Sequence, residues 1–171
     1  MEPQALPGER VEVIDNDGHR SLVSKTRLKT GDSILTVLGD DVSLPSRYSI
    51  QVGAREHVEP SVPPANLSSY DNYLWPFLNH GFSPNSMMVG RQLVATSDIE
   101  PGAEITFNYN ANEWDMATPF RCHETGRMVA GNKNLSDEER AEIAEVTSEF
   151  ILELARDEVI GRQKAAARAA S

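Results

Sequence analysis

The stretch Phe77-Leu78-Asn79-His80-Gly81-Phe82-Ser83-Pro84-Asn85-Ser86 decides how the rest of this chain is read. Asn79, His80, Ser83, Pro84 and Asn85 crowd together directly after the apolar run YLWPFL, residues 73–78. Residues of these types favour turns, because asparagine and serine side chains bond their own backbone and proline fixes φ. In isolation, Asn79-His80 is a surface turn with a capping side chain. Its meaning depends on what surrounds it.

On either side the chain reads as short strands joined by turns. RVEVI (10–14) can pair with RSLVS (20–24) across DNDG, where Asp17-Gly18 is a hairpin signal. SILTVL (33–38) is β-branched and apolar and stops at Gly39-Asp40. RYSIQV (47–52) alternates, with Tyr48, Ile50 and Val52 sharing one face. EPSVPPANLSSYDN (59–72) is rich in proline and serine and reads as a loop. SMMVGRQLVAT (86–96) is a second hairpin with Gly90-Arg91 at its turn. EPGAEITFNY (100–109) is a turn followed by a strand that puts Ile105, Phe107 and Tyr109 on one face.

After Tyr109 the pattern changes. Residues 110–134 show no period. From Ser136 the sequence becomes helical, with Ser136 and Glu139 forming a capping box. Ile143, Val146, Phe150 and Leu154 then follow at spacings of three and four, which predicts one amphipathic helix packed on the strand-rich part. The final RQKAAARAAS extends that helix or frays from it.

The 171 residues fit one domain with a modest core. With 26 acidic and 16 basic residues the formal charge is −10, which argues against nucleic acid as the main partner. The same surplus suits a cationic substrate, or serves only solubility. A single cysteine, Cys122, excludes an internal disulfide and a multi-cysteine zinc site, and points to a cytoplasmic setting. No apolar run reaches the roughly 20 residues of a membrane span, and residues 1–13 lack a signal-peptide pattern.

Taken together, three segments carry a resemblance. Phe77-Leu78-Asn79-His80, then Pro84-Asn85, then Gly102-Ala103-Glu104-Ile105-Thr106-Phe107-Asn108-Tyr109 resemble the two linked motifs of the SET domain, the fold of most protein lysine methyltransferases, in order and in spacing. RYSIQVG and NEWDMATPFRC (112–122) resemble the family's flanking segments, and the likeness covers roughly residues 11–131. It implies a mainly β architecture, the β-clip of small curved sheets, plus a C-terminal α-helix. It also implies a pseudoknot in which the Asn-His segment passes through a loop closed by the tyrosine strand, an unusual crossing. Residues 1–131 would form the SET domain with its flank, and 132–171 a helical extension packed on it.

The resemblance also implies roles. S-adenosylmethionine would be the cofactor, held by the backbone and amide of Asn79 and by His80, with Pro84-Asn85 fixing the loop. Tyr109 would stand where the methyl group emerges, as the catalytic tyrosine. Tyr48 lines the acceptor channel or packs in the core. Trp114 and Phe120 fall where the family covers the adenine, or they pack the flank. Gly18 is the nearest match to the glycine strand that meets the cofactor. Glu104 precedes its strand as a structural residue, and His19, His57 and His123 read as surface histidines. Methyl transfer is an in-line displacement that needs a neutral amine and close positioning. Oxygens around the methyl can steer it, aromatic walls suit a moving positive charge, and an apolar channel lowers a lysine pKa.

The sequence departs from the family in places. Gly81-Phe82 replaces the usual Ser-Cys, Pro76 replaces an arginine, and Asn108 and Asn110 flank the tyrosine. The cysteines that bind zinc at the C-terminal flank are reduced to Cys122, so no metal is expected, and the helix from Ser136 is expected to form that side of the site. The acceptor would be a lysine ε-amine of a protein. The alternatives are an enzyme of the same fold acting on a small molecule or catalysing another reaction, and a non-catalytic binding module.

Overall fold

The computed structural model describes residues 7–62 and 73–171. Most of the loop expected at 59–72 therefore lies outside the described residues. A single helical turn, α1 (Pro7–Arg10), leads into β1 (Val11–Asn16), which pairs antiparallel with β2 (His19–Ser24) through the expected Asp17-Gly18 turn. Gly18 supplies the positive φ that this turn needs.

Two three-stranded sheets follow. β3 (Ser33–Thr36) will pair with a later hairpin, whereas β4 (Asp40–Val42), β5 (Ile50–Gly53) and β6 (Glu56–Glu59) form a sheet in the order β4-β6-β5. β5 starts two residues after Tyr48. The Ser46 hydroxyl accepts from the Tyr48 N–H, and the Ser46 N–H donates to the Ser49 hydroxyl. This serine turn takes Tyr48 out of the strand and leaves it 45% exposed. His57 also departs from expectation: it sits in β6 at 6% exposure, not on the surface, and burial lowers its pKa.

β7 (Asn79–His80) is two residues long, and β8 (Ser86–Val89) and β9 (Gln92–Ala95) form the hairpin expected around Gly90-Arg91. β9 lies between β3 and β8. β10 (Thr106–Phe107) pairs in parallel with β7, Thr106 opposite Asn79 and Phe107 opposite His80. The strand expected to reach Tyr109 stops at Phe107. The Asn108 side chain accepts from the Asn110 N–H and opens a 3-10 turn, Tyr109–Ala111. In the segment without a period, β11 (Phe120–Arg121) and β12 (Met128–Val129) make a small hairpin.

The capping box at Ser136 and Glu139 is present and starts α2 (Asp137–Glu142). The single helix expected there is instead broken at 143–148 and resumes as α3 (Glu149–Ala169). The reason is long-range. The Ser148 N–H donates to the Ala111 carbonyl, and the Ser148 hydroxyl donates to Asn112 Oδ1 at 2.5 Å. These bonds pin the chain to the turn after Tyr109 and outweigh the modest propensity of an uninterrupted helix. One core runs through the strands, with Leu22, Leu28, Val37, Leu93, Ile99 and Ile105 fully or almost fully buried. Among the described residues no helix is long and apolar enough to cross a membrane.

Candidate active site

The two-residue ladder between β7 and β10 is too short to hold itself, and side chains fasten it. Asn85 bridges both ends of the crossing: its Nδ2 donates to the Glu104 carbonyl at 2.8 Å, and its Oδ1 accepts from the Thr106 N–H at 3.0 Å. The Ser86 hydroxyl donates to the Thr106 carbonyl, and the Gly81 N–H to the Phe107 carbonyl. A Cβ at Gly81 would stand 2.9 Å from Thr106 Oγ1, so a larger residue here would have to displace the Thr106 side chain.

Asn79 uses both amide hydrogens within the protein. Its Nδ2 donates to the Arg20 carbonyl at 2.9 Å and to Glu104 Oε1 at 2.8 Å. Its Oδ1 remains for a ligand, while its main chain pairs with β10. His80 Nδ1 accepts from the Tyr109 N–H at 3.1 Å, which leaves the ring proton on Nε2. That Nε2 is buried with no partner. Burial, helped by the Arg127 cation, pushes the His80 pKa down to about 4, so the ring is neutral near pH 7.

Tyr109 stands between two cavities and lines both. Its hydroxyl donates to the Leu78 carbonyl at 2.5 Å. Burial, with the Glu113 and Glu104 carboxyls nearby, holds the phenol above its ordinary pKa, so it keeps its proton. The larger cavity, about 700 Å³, is lined by Asn79, His80, Glu104 and Phe120 as well as His19 and Cys122. The His80, Tyr109 and Phe120 rings meet edge to face, with centroids 5.3 to 6.0 Å apart. The smaller cavity, about 270 Å³, has aromatic walls formed by Tyr48, Trp75, Phe77 and Phe107, with Glu113 beside them. Trp75 is fixed by a bond from its Nε1 to the Leu38 carbonyl at 2.9 Å.

Asn79, His80, Tyr109 and Phe120 thus converge, and Tyr48 lies on the other side of Tyr109. Gly18 and Trp114 line neither cavity. Gly18 is at the tip of the β1–β2 turn, its N–H donating to Asp15 Oδ1, and only its neighbour His19 reaches the larger cavity. The Trp114 ring lies under Arg140, 5.6 Å from the guanidinium carbon. The C-terminal helices line neither cavity: the side expected for them is formed by residues 116–118, Phe120 and residues 122–124. Trp75, Phe77 and Glu113 have no cavity role assigned from the sequence, although Phe77 opens the Phe77-Leu78-Asn79-His80 motif. The aromatic run before Asn79 was the available signal for the first two, whereas Glu113 had none.

Phe82, the bulky departure from the family pattern, packs its ring against the His80 edge at 4.5 Å. The Arg127 guanidinium carbon stands 4.4 Å from the centroid of the same Phe82 ring. Arg127 in turn pairs with Glu142 and, more distantly, Glu139. The aromatic replacement therefore ties the loop after His80 to the β11–β12 hairpin and α2.

The SET domain family model matches residues 19–110, more than half of the chain, and the chain belongs to this family, whose members are generally S-adenosylmethionine-dependent methyltransferases. A comparison with curated protein sequences found no significant match. The larger cavity fits the family's cofactor on its own observations. It offers a neutral His80 with an unpartnered Nε2–H, an aromatic face at Phe120 and a carboxylate at Glu104. These suit a ligand carrying acceptors, an aromatic base and positive charge.

Proposed function

We propose that this protein methylates a lysine ε-amine of a protein, with S-adenosylmethionine as the donor. The observation that carries the reading is the position of Tyr109, whose ring borders a polar cavity on one side and an aromatic cavity on the other. Asn79, His80, Glu104 and Phe120 would hold the cofactor, which supplies an electrophilic methyl group when bound.

The chain's own residues do the rest. The aromatic walls of the smaller cavity take an aliphatic stem and exclude water, and removal from water disfavours the ammonium form of its terminal amine. The Tyr109 hydroxyl donates its hydrogen bond to the Leu78 carbonyl, which leaves the phenol oxygen lone pairs to accept from an N–H or to make weak C–H···O contacts. Positioning rather than acid or base strength then governs the rate.

Calorimetric titration with S-adenosylmethionine and its demethylated product, followed by transfer assays on lysine peptides and on free amines, tests the reading. We expect saturable micromolar binding, transfer to peptides, and a loss of about 10²-fold in Tyr109→Phe with cofactor affinity unchanged. Transfer to free amines alone would favour a small-molecule acceptor. Binding no tighter than millimolar, with no transfer, would reduce the protein to a binding module.

A further inference from the structure

Among the described residues lining the aromatic cavity, Glu113 is the one acid. It lies just past Tyr109, its N–H donating to the Tyr109 carbonyl at 2.8 Å, and it is 8% exposed. Its Oε1 accepts from the Gln51 N–H at 2.8 Å. Removal from water pushes its carboxyl up to about 8, and the Gln51 bond offsets only part of that. The other ionisable groups facing this cavity are the Tyr48 and Tyr109 phenols and the exposed Arg47.

Architecture alone does not require an acid here. A glutamine would accept the Gln51 N–H equally well without the cost of a buried ionisable group. The acid also lines the cavity that the proposed reading gives to the amine.

We propose that Glu113 is the proton acceptor for the amine entering this cavity, an inference that rests on the acceptor reading given above. An N–H bond of the ammonium breaks and its electron pair stays on nitrogen. An O–H bond forms on Glu113 Oε2, since Oε1 is already engaged by Gln51. The amine becomes neutral, and the proton later passes to solvent. An ordinary carboxyl and an ordinary lysine differ by about 6 units, a poor match for transfer. The apolar walls raise the acid and lower the amine, which narrows that gap. Because the acceptor must start without its proton, the accepting form grows as pH rises.

Two measurements test this. The first is the carbon-13 titration of the Glu113 carboxyl, assigned by its loss in Glu113→Gln, with n-butylamine as the probe. We expect the titration to move down by about one unit or more when the amine is added, because the cation favours the carboxylate. An unmoved signal overturns the proposal. The second is the pH profile of methyl transfer to a lysine peptide. Glu113→Gln should lose about 10²-fold near neutral pH and recover to within about threefold at about pH 10, where the amine loses its proton unaided. An equal loss at every pH makes the residue structural and overturns the proposal. If no peptide is methylated but butylamine still moves the carboxyl signal, the lysine reading falls while the pairing of Glu113 with an amine stands.

Discussion

Two regions border Tyr109, and they hold irregular backbone in different ways. In the crossing of 79–85 with 104–109, main chain pairs with main chain, and one side chain, Asn85, closes the gap at both ends. In the flank, residues 110–134, side-chain amides take over. Asn110 Oδ1 accepts from the Ala130 and Gly131 N–H groups, and Asn112 Nδ2 donates to the Gln51 carbonyl. Asn132 Nδ2 donates to the Asn110 carbonyl, and Gln51 Oε1 accepts from the Trp114 N–H. A short ladder is closed by a few side chains at its ends; where the flank runs outside its β11–β12 hairpin, side-chain amides take backbone groups that no strand partner reaches. The lesson is that loss of regular pairing does not loosen a site if amides are buried in its place.

The comparison can be broken, starting with the flank. Asn110→Ala strands two main-chain donors, one of them buried, and should cost about 4 kcal/mol in urea unfolding. A cost below about 1 kcal/mol would mean that water replaces the amide and the flank is not fastened this way. Asn85→Ala removes a donor and an acceptor at a more exposed place, where water can substitute. Its expected cost is about 2 kcal/mol, and hydrogen exchange should quicken at Thr106 before it does at Ala130. Simultaneous quickening at both would merge the two regions into one cooperative unit.

The smallest effect belongs to Arg127, which joins the regions through Phe82. Its ion pairs are substantially exposed and count for little. Arg127→Met should weaken cofactor binding by about threefold, the value of one cation–π contact at a partly exposed site. It should also move the His80 titration upward from about 4, since a positive neighbour no longer opposes the imidazolium, though burial still keeps it below the ordinary value. A histidine Cε1 signal that does not move would show that burial alone sets it.

The crossing was legible only through the resemblance of residues 77–85 and 102–109 to two linked motifs of the SET family; taken alone, Asn79-His80 reads as a turn and Tyr109 as a core aromatic. The hairpins were legible through Asp17-Gly18 and Gly90-Arg91, whose conformations only a few residues adopt. Other features depended on partners far along the chain. Ser148 breaks the C-terminal helix by bonding Ala111 and Asn112, and no helical periodicity carries that information. Tyr48 leaves its strand because Ser46 and Ser49 form a turn that an alternating pattern conceals. Glu113 and the amides of Asn110, Asn112 and Asn132 fall in a stretch without a period, where polar residues look like loop.

The amides of the flank have a chemical consequence. Carboxamides gain and lose no proton across the range in which proteins survive, exchange no electrons and hold metal ions weakly. The wall on that side of the pocket should therefore keep its shape through acid stress and chelators, and peroxide would reach it through the Met116 and Cys122 sulfurs. Sensitivity to such agents would enter through the histidines, the single thiol, the Met116 thioether and the carboxyls that look into the cavities.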